Sequence, residues 1–118
     1  MLDKHLELRD RTKQLAIRVL KLCGSLPRTD AAHTIGRQLL RSGTSVAANY
    51  RAVGRARSQA EFVAKMGVVI EEADESVFWL ELLVESGMVP KPRLEALTAE
   101  ANELVAIFVA SQKTARRK

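Results

Sequence analysis

A single cysteine, Cys23, stands in 118 residues, so no internal disulfide can form and no cysteine cluster can hold a metal. The thiol reads as core filler. Aromatic side chains are few, one Trp, one Tyr and three Phe, which leaves little ring surface for stacking single-stranded bases. His5 and His33 are the only histidines, and they lack the Glu-x-x-His spacing that di-metal bundles use. The sequence therefore calls for neither metal nor cofactor. No apolar run approaches the roughly 18 residues of a membrane span, and the start MLDKHLELRDR is too charged for a secretory signal. The expected location is the cytoplasm.

What is present is helical material. Hydrophobic residues make up 47% and charged residues 28%, and Ala, Leu, Glu and Arg outnumber aromatics and β-branched runs, a bias that favours helix. The length suits one domain with one core. Charge is unevenly spread: residues 1–57 carry 12 basic and 4 acidic side chains, residues 58–109 carry 3 and 10, and residues 110–118 carry 4 basic and none acidic. A basic half of this kind attracts nucleic acid or another anionic surface, unless the acidic half neutralises it in the fold or in an assembly.

Apolar periodicity predicts four helices, at about 4–23, 30–53, 58–86 and 93–111, with a basic, frayed tail at 112–118. In the first, Leu8, Thr12, Leu15, Ala16, Val19, Leu22 and Cys23 share a face, and Lys4, Arg11 and Arg18 lie outside it. Gly24, Ser25 and Pro27 end it, and Thr29 or Asp30 can cap the second helix. There the inward face is Ala32, Ile35, Leu39, Val46, Tyr50 and Val53. Gly54 stops this helix, and Ser58 with Glu61 fits a capping box at the start of the third. The third helix turns Phe62, Met66, Val69, Ile70, Ala73, Val77, Leu80 and Val84 inward. A second apolar group, Ala64, Val68, Trp79 and Leu82, shares the other side with Glu71, Glu72 and Glu75. One small bundle cannot bury both faces, so Val68, Trp79 and Leu82 are read as an interface between copies of the chain. Gly87, Pro90 and Pro92 turn the chain, and the last helix faces inward with Leu94, Leu97, Ala101, Leu104, Val105 and Phe108. Four amphipathic helices on short loops pack most simply as an all-α, antiparallel up-down-up-down four-helix bundle.

The candidate functional surface is basic. Steps of about 100° per residue bring Arg37, Arg41 and Arg51 within roughly 80° of one another, separated along the stripe only by the small Thr44 and Ala48. Arg55 and Arg57 follow at the corner. Guanidinium forks match phosphate oxygens, and each such contact releases counterions, so these residues with Arg11 and Arg18 are the candidate nucleic-acid contacts. The competing reading pairs them with Glu71, Glu72, Asp74, Glu75 or Glu81 on the third helix. Ser45 and Asn49, one turn apart, have no base beside them and suit a hydrogen bond across a helix contact better than catalysis. The acidic cluster suits an ion-paired or solvated face. No catalytic constellation is visible, and an enzyme is not expected.

The stretch QLLRSGTSVAANYRAVGRARSQAEF at 38–62 resembles the four-helix-bundle proteins first noticed as reading frames inside intervening sequences of bacterial 23S ribosomal RNA genes. The matching positions are Gln38, Arg41, Ser45, Asn49, Gly54, Arg57, Ser58, Glu61 and Phe62, followed by EEADES and FWLELL. Where many members read N-I-A-E-G, this chain has Asn49-Tyr-Arg-Ala-Val-Gly54, with a basic residue in an otherwise acidic turn. The resemblance implies a four-helix bundle and suggests a homopentameric ring. It is similar in fold to the accessory protein of diversity-generating retroelements, a basic pentamer that contacts nucleic acid and a reverse transcriptase. The implied partners are thus further copies of the chain, nucleic acid with RNA favoured over DNA, or a protein such as a reverse transcriptase.

Overall fold

The computed structural model describes residues 3–118. Helices α1 (Lys4–Cys23), α2 (Asp30–Val53), α3 (Gln59–Glu85) and α4 (Lys91–Arg116) follow one another in an up-down-up-down bundle. The starts of α1, α2 and α3 are marked by side chains that satisfy first-turn N–H groups, while α4 starts after Pro90 without one. Asp3 accepts from the His5 N–H at 3.0 Å, Thr29 from Ala32 at 3.1 Å, and Ser58 from Glu61 at 3.1 Å. Between α3 and α4 the chain turns at Gly87, whose φ of 79° lies in the left-handed region that lacks a Cβ penalty. There the N–H groups of Met88 and Val89 both reach the Leu83 carbonyl at 3.1 Å, which closes the end of α3.

The core is continuous through the bundle and is built on Leu15, Val19, Leu39, Val46, Met66, Val69, Leu80, Leu83, Leu104 and Phe108. The inward faces predicted for α1 and α2 are buried as expected, except that Cys23 is half-buried. Ile70, Val105, Phe62 and Val84 are only half-buried. Phe62 and Val84 fall in the terminal turns of α3, where the bundle runs out of neighbours.

Two close approaches set the spacing. A Cβ at Gly43 would lie 3.0 Å from both γ-methyls of Val19, so α1 and α2 touch backbone to side chain there. Across the other flank of α2, the hydroxyls of the buried Ser42 and Ser76 meet at 2.9 Å, which ties α2 to α3. Ser45 and Asn49 make no such cross-helix bond. Asn49 Nδ2 donates back to the Ser45 carbonyl at 2.9 Å, within α2, because this pair stands on the outer flank while Ser42 and Gly43 occupy the contact.

Helices α1 and α2, α2 and α3, and α3 and α4 pack along their lengths, whereas α1 and α4 approach closely over only a short stretch. Arg11 spans that gap. Its Nε and Nη2 donate to the two oxygens of Glu100 at 3.0 and 2.7 Å, and Glu103 lies 3.4 Å away. At one end of the bundle His5 stacks on Tyr50 at 4.9 Å and Tyr50 on Phe108 at 5.3 Å, which pins the start of α1 over the end of α2.

The predicted frayed tail is a correction: α4 continues to Arg116. Two amides fasten it to the start of α3, with Gln112 Nε2 donating to the Val63 carbonyl at 3.0 Å and Gln59 Nε2 to that of Ala115. Among the described residues, no helix is long and apolar enough to cross a membrane.

Candidate nucleic-acid interface

Helix geometry aligns the arginines of α2, but the helix beside each one decides its state. Arg41 leans toward α3. Its guanidinium pairs with Glu72 at 3.0 Å and with Glu75, and Glu75 also accepts from the indole N–H of Trp79 at 2.9 Å. The Trp79 hydrogen bond, and then Arg41, hold the Glu75 carboxyl below its ordinary range, while the bond to Glu75 raises Arg41 further. Arg41, whose side chain is 47% exposed, is thus ion-paired to α3 at the surface.

Arg37 and Arg51 stand on the opposite flank, toward α1. Among the described residues neither has a carboxylate within ion-pairing distance, and both are exposed. Arg51 lines a furrow between α1 and α2 with Leu6, Arg9, Lys13, Thr44 and Ala48. Arg37 borders a second hollow with Leu20, Cys23, His33 and Leu40. Fourteen residues of α2 separate the two guanidinium groups, about 21 Å at 1.5 Å per residue. Arg9 and Lys13 escaped the sequence reading. The signal for Lys13 was the outward row Leu6, Lys13 and Leu20 at seven-residue spacing on α1, in which Leu6 and Leu20 are exposed.

The other candidates divide in the same way. Arg18 and Arg55 are exposed and unpaired among the described residues. Arg57 touches Glu61 at 3.4 Å but its side chain remains 88% exposed, so that pairing is weak. Arg11 is the α1–α4 strut already described, and the bond to Glu100 raises its pKa.

Of the expected interface residues on α3, Val68 is 44% exposed, whereas Trp79 and Leu82 are half-buried and pack against the core, so they do not stand on the separate face that helical spacing predicts. The most exposed member, Phe78 at 52%, was missed. It packs edge-on against Trp79 with ring centroids 4.9 Å apart, so the two rings form one apolar knob. Among the described residues no three His, Cys, Asp or Glu side chains are placed to share a metal ion. The Cys23 thiol, directed at the Gly36 carbonyl at 3.4 Å, is pushed up by burial.

A family model described as 23S rRNA-intervening sequence protein matches residues 4–110. The chain belongs to that family. A crystal structure of a protein of unknown function from the S23 ribosomal protein family of Bacteroides thetaiotaomicron is similar, with 29% identity and a TM-score of 0.86. The match covers 94% of this chain and 99% of that one. No functionally curated protein matches. In this chain, three of the positions that carry the family resemblance have structural roles. Arg41 joins α2 to α3, Ser58 caps α3, and a Cβ at Gly54 would run into the His5 imidazole. The unpaired arginines of the furrow lie outside that set.

Proposed function

We propose that this member of the 23S rRNA-intervening sequence protein family is a non-enzymatic bundle that binds the phosphate backbone of nucleic acid, RNA in preference to DNA. The binding surface is the furrow between α1 and α2. The observation that carries this reading is the run of unpaired cations along α1 and α2, Arg51 with exposed Lys13 and half-buried Arg9 in the furrow and Arg37 at the second hollow, against one lining carboxylate in each, Asp10 and Asp30. Arg18 extends the surface. Cations left unpaired by the fold remain available for phosphate, and the scarcity of exposed rings favours recognition of backbone and shape over base stacking. Further copies of the chain dock on the outer face of α3 through Val68, Phe78, Trp79 and Leu82, and a pentamer is the assembly the family resemblance suggests. Repetition of the furrow around such an assembly converts weak contacts into avidity.

A second reading is favoured by Arg41. Its pairing with Glu72 and Glu75 shows how the arginines of α2 are used when a carboxylate is at hand. In that reading Arg37 and Arg51 meet acidic groups of another protein, such as a reverse transcriptase, and the bundle is an adaptor. The test is the affinity of nucleic-acid-free protein for a structured RNA and for duplex DNA across several salt concentrations. A steep fall of log K with log salt, stronger for RNA and shared by unrelated sequences, is the expected result. Absence of binding at low salt removes this reading and leaves the adaptor.

A further inference from the structure

Because the helices alternate in direction, α1 begins, α2 ends, α3 begins and α4 ends at the same pole of the bundle. Segments far apart in sequence are thereby gathered into one surface. Lys4, Arg55, Arg57, Arg116, Arg117 and Lys118 stand there as six cations, against three carboxylates, Asp3, Glu7 and Glu61. The opposite pole is close to balanced, with Lys21, Arg28, Lys91 and Arg93 against Asp30, Glu85 and Glu95. One of its cations, Arg93, is also committed to a hydrogen bond with Ser25.

The basic pole is built, not frayed. The two amide bonds from Gln59 and Gln112 hold the last turns of α4 against the start of α3. Lys4 and Lys118 line one hollow together with Gln59 and Thr114, and Arg57 lines an adjoining hollow that shares Phe62 with it. Among these six cations the one ion pair found is the long contact of Arg57 with Glu61, at 3.4 Å. Charges fixed on a folded helix end lose less freedom on meeting a polyanion than charges on a loose tail.

We infer that this pole, with the final turn of α4 at its centre, is a second phosphate-contacting surface for a nucleic-acid backbone. The inference rests on the nucleic-acid reading above and extends it around the end of the bundle, away from the outer face of α3. A competing explanation is that cations in the last turn of α4 only offset the negative end of the helix. The two are separable by experiment.

The full chain and its Arg116→Gln/Arg117→Gln variant are titrated with a 20-base-pair RNA duplex at several salt concentrations. Circular dichroism checks helix content, and Arg37→Gln/Arg51→Gln serves as the furrow comparison. Loss of two phosphate contacts lowers the log K against log salt slope by about 1.4–1.8, with helix content kept. A tail variant that loses thermal stability yet binds with an unchanged slope overturns the inference, while the furrow variant still reports on the underlying reading. Wild-type protein that binds no nucleic acid at low salt overturns both. Binding to phosphatidylserine vesicles that needs Arg116 and Arg117, with no change toward RNA, likewise overturns it.

Discussion

The two flanks of α2 carry the same side chain to opposite fates. On the α3 flank, Arg41 closes onto Glu72 and Glu75, and Ser42 meets Ser76 beneath it. On the α1 flank, Arg51 opens into a furrow whose other wall supplies Arg9 and Lys13, and Arg37 borders a separate hollow beside Leu20 and Cys23. Position on the helical wheel separates Arg41 from Arg37 by only about 40°. What distinguishes them is what the neighbouring helix offers, carboxylates on α3 against the uncharged Leu20 and Cys23 of α1 beside Arg37. An arginine stripe read from one helix is therefore half of a description.

The comparison breaks most severely if the packing beneath it is disturbed. Gly43→Leu drives a side chain into Val19, and overpacking of this kind costs about 1–3 kcal/mol or more. Thermal denaturation should show a clear drop in Tm for Gly43→Leu, and an unchanged Tm would mean that α1 and α2 are not in close contact. Next comes Arg37→Ala with Arg51→Ala. Both side chains are exposed and unpaired, so stability should stay within about 0.5 kcal/mol of wild type, while the slope of RNA binding against log salt falls by roughly 1.4–1.8. A destabilised double variant with unaltered binding would move these arginines to the structural side. Arg41→Ala should do the reverse, with a modest loss of Tm that fades in high salt.

The smallest effect sharpens the seam by pH. The folded state holds the Glu75 carboxyl below its unfolded value of about 4.5. Its contribution to stability is therefore present above that value and is lost as pH falls through the lower, folded value. The Tm gap between wild type and Glu75→Gln should be open at pH 7 and close under acid conditions. A gap independent of pH would show that the indole and guanidinium contacts do not depend on the carboxylate charge.

The four helices and most of their inward faces were legible because helical periodicity and caps are local. Thr29, Ser58 and Gly87 mark boundaries by their own chemistry. The end of α4 was not legible, since Gln59 and Gln112 fasten it through contacts between α3 and α4 that no local pattern displays. Nor was the Ser42–Ser76 bond, which needs the register of two helices. For the candidate site, sequence placed all seven arginines but could not sort them. Arg11 finds Glu100 across 89 positions and Arg41 finds Glu75 across 34. Phe78 was passed over because it stands at the edge of the apolar group centred on Val68 and Leu82, where only packing shows that its ring is left outside.

The most direct test compares single variants one turn apart. Salt titrations of RNA binding by Arg37→Ala and Arg41→Ala, run beside wild type, ask whether the neighbouring helix decides which arginine is free. The prediction is a slope reduced by about 0.7–0.9 for Arg37→Ala, one phosphate contact, and a slope equal to wild type for Arg41→Ala. Equal reductions for the two, or a loss confined to Arg41→Ala, would contradict it.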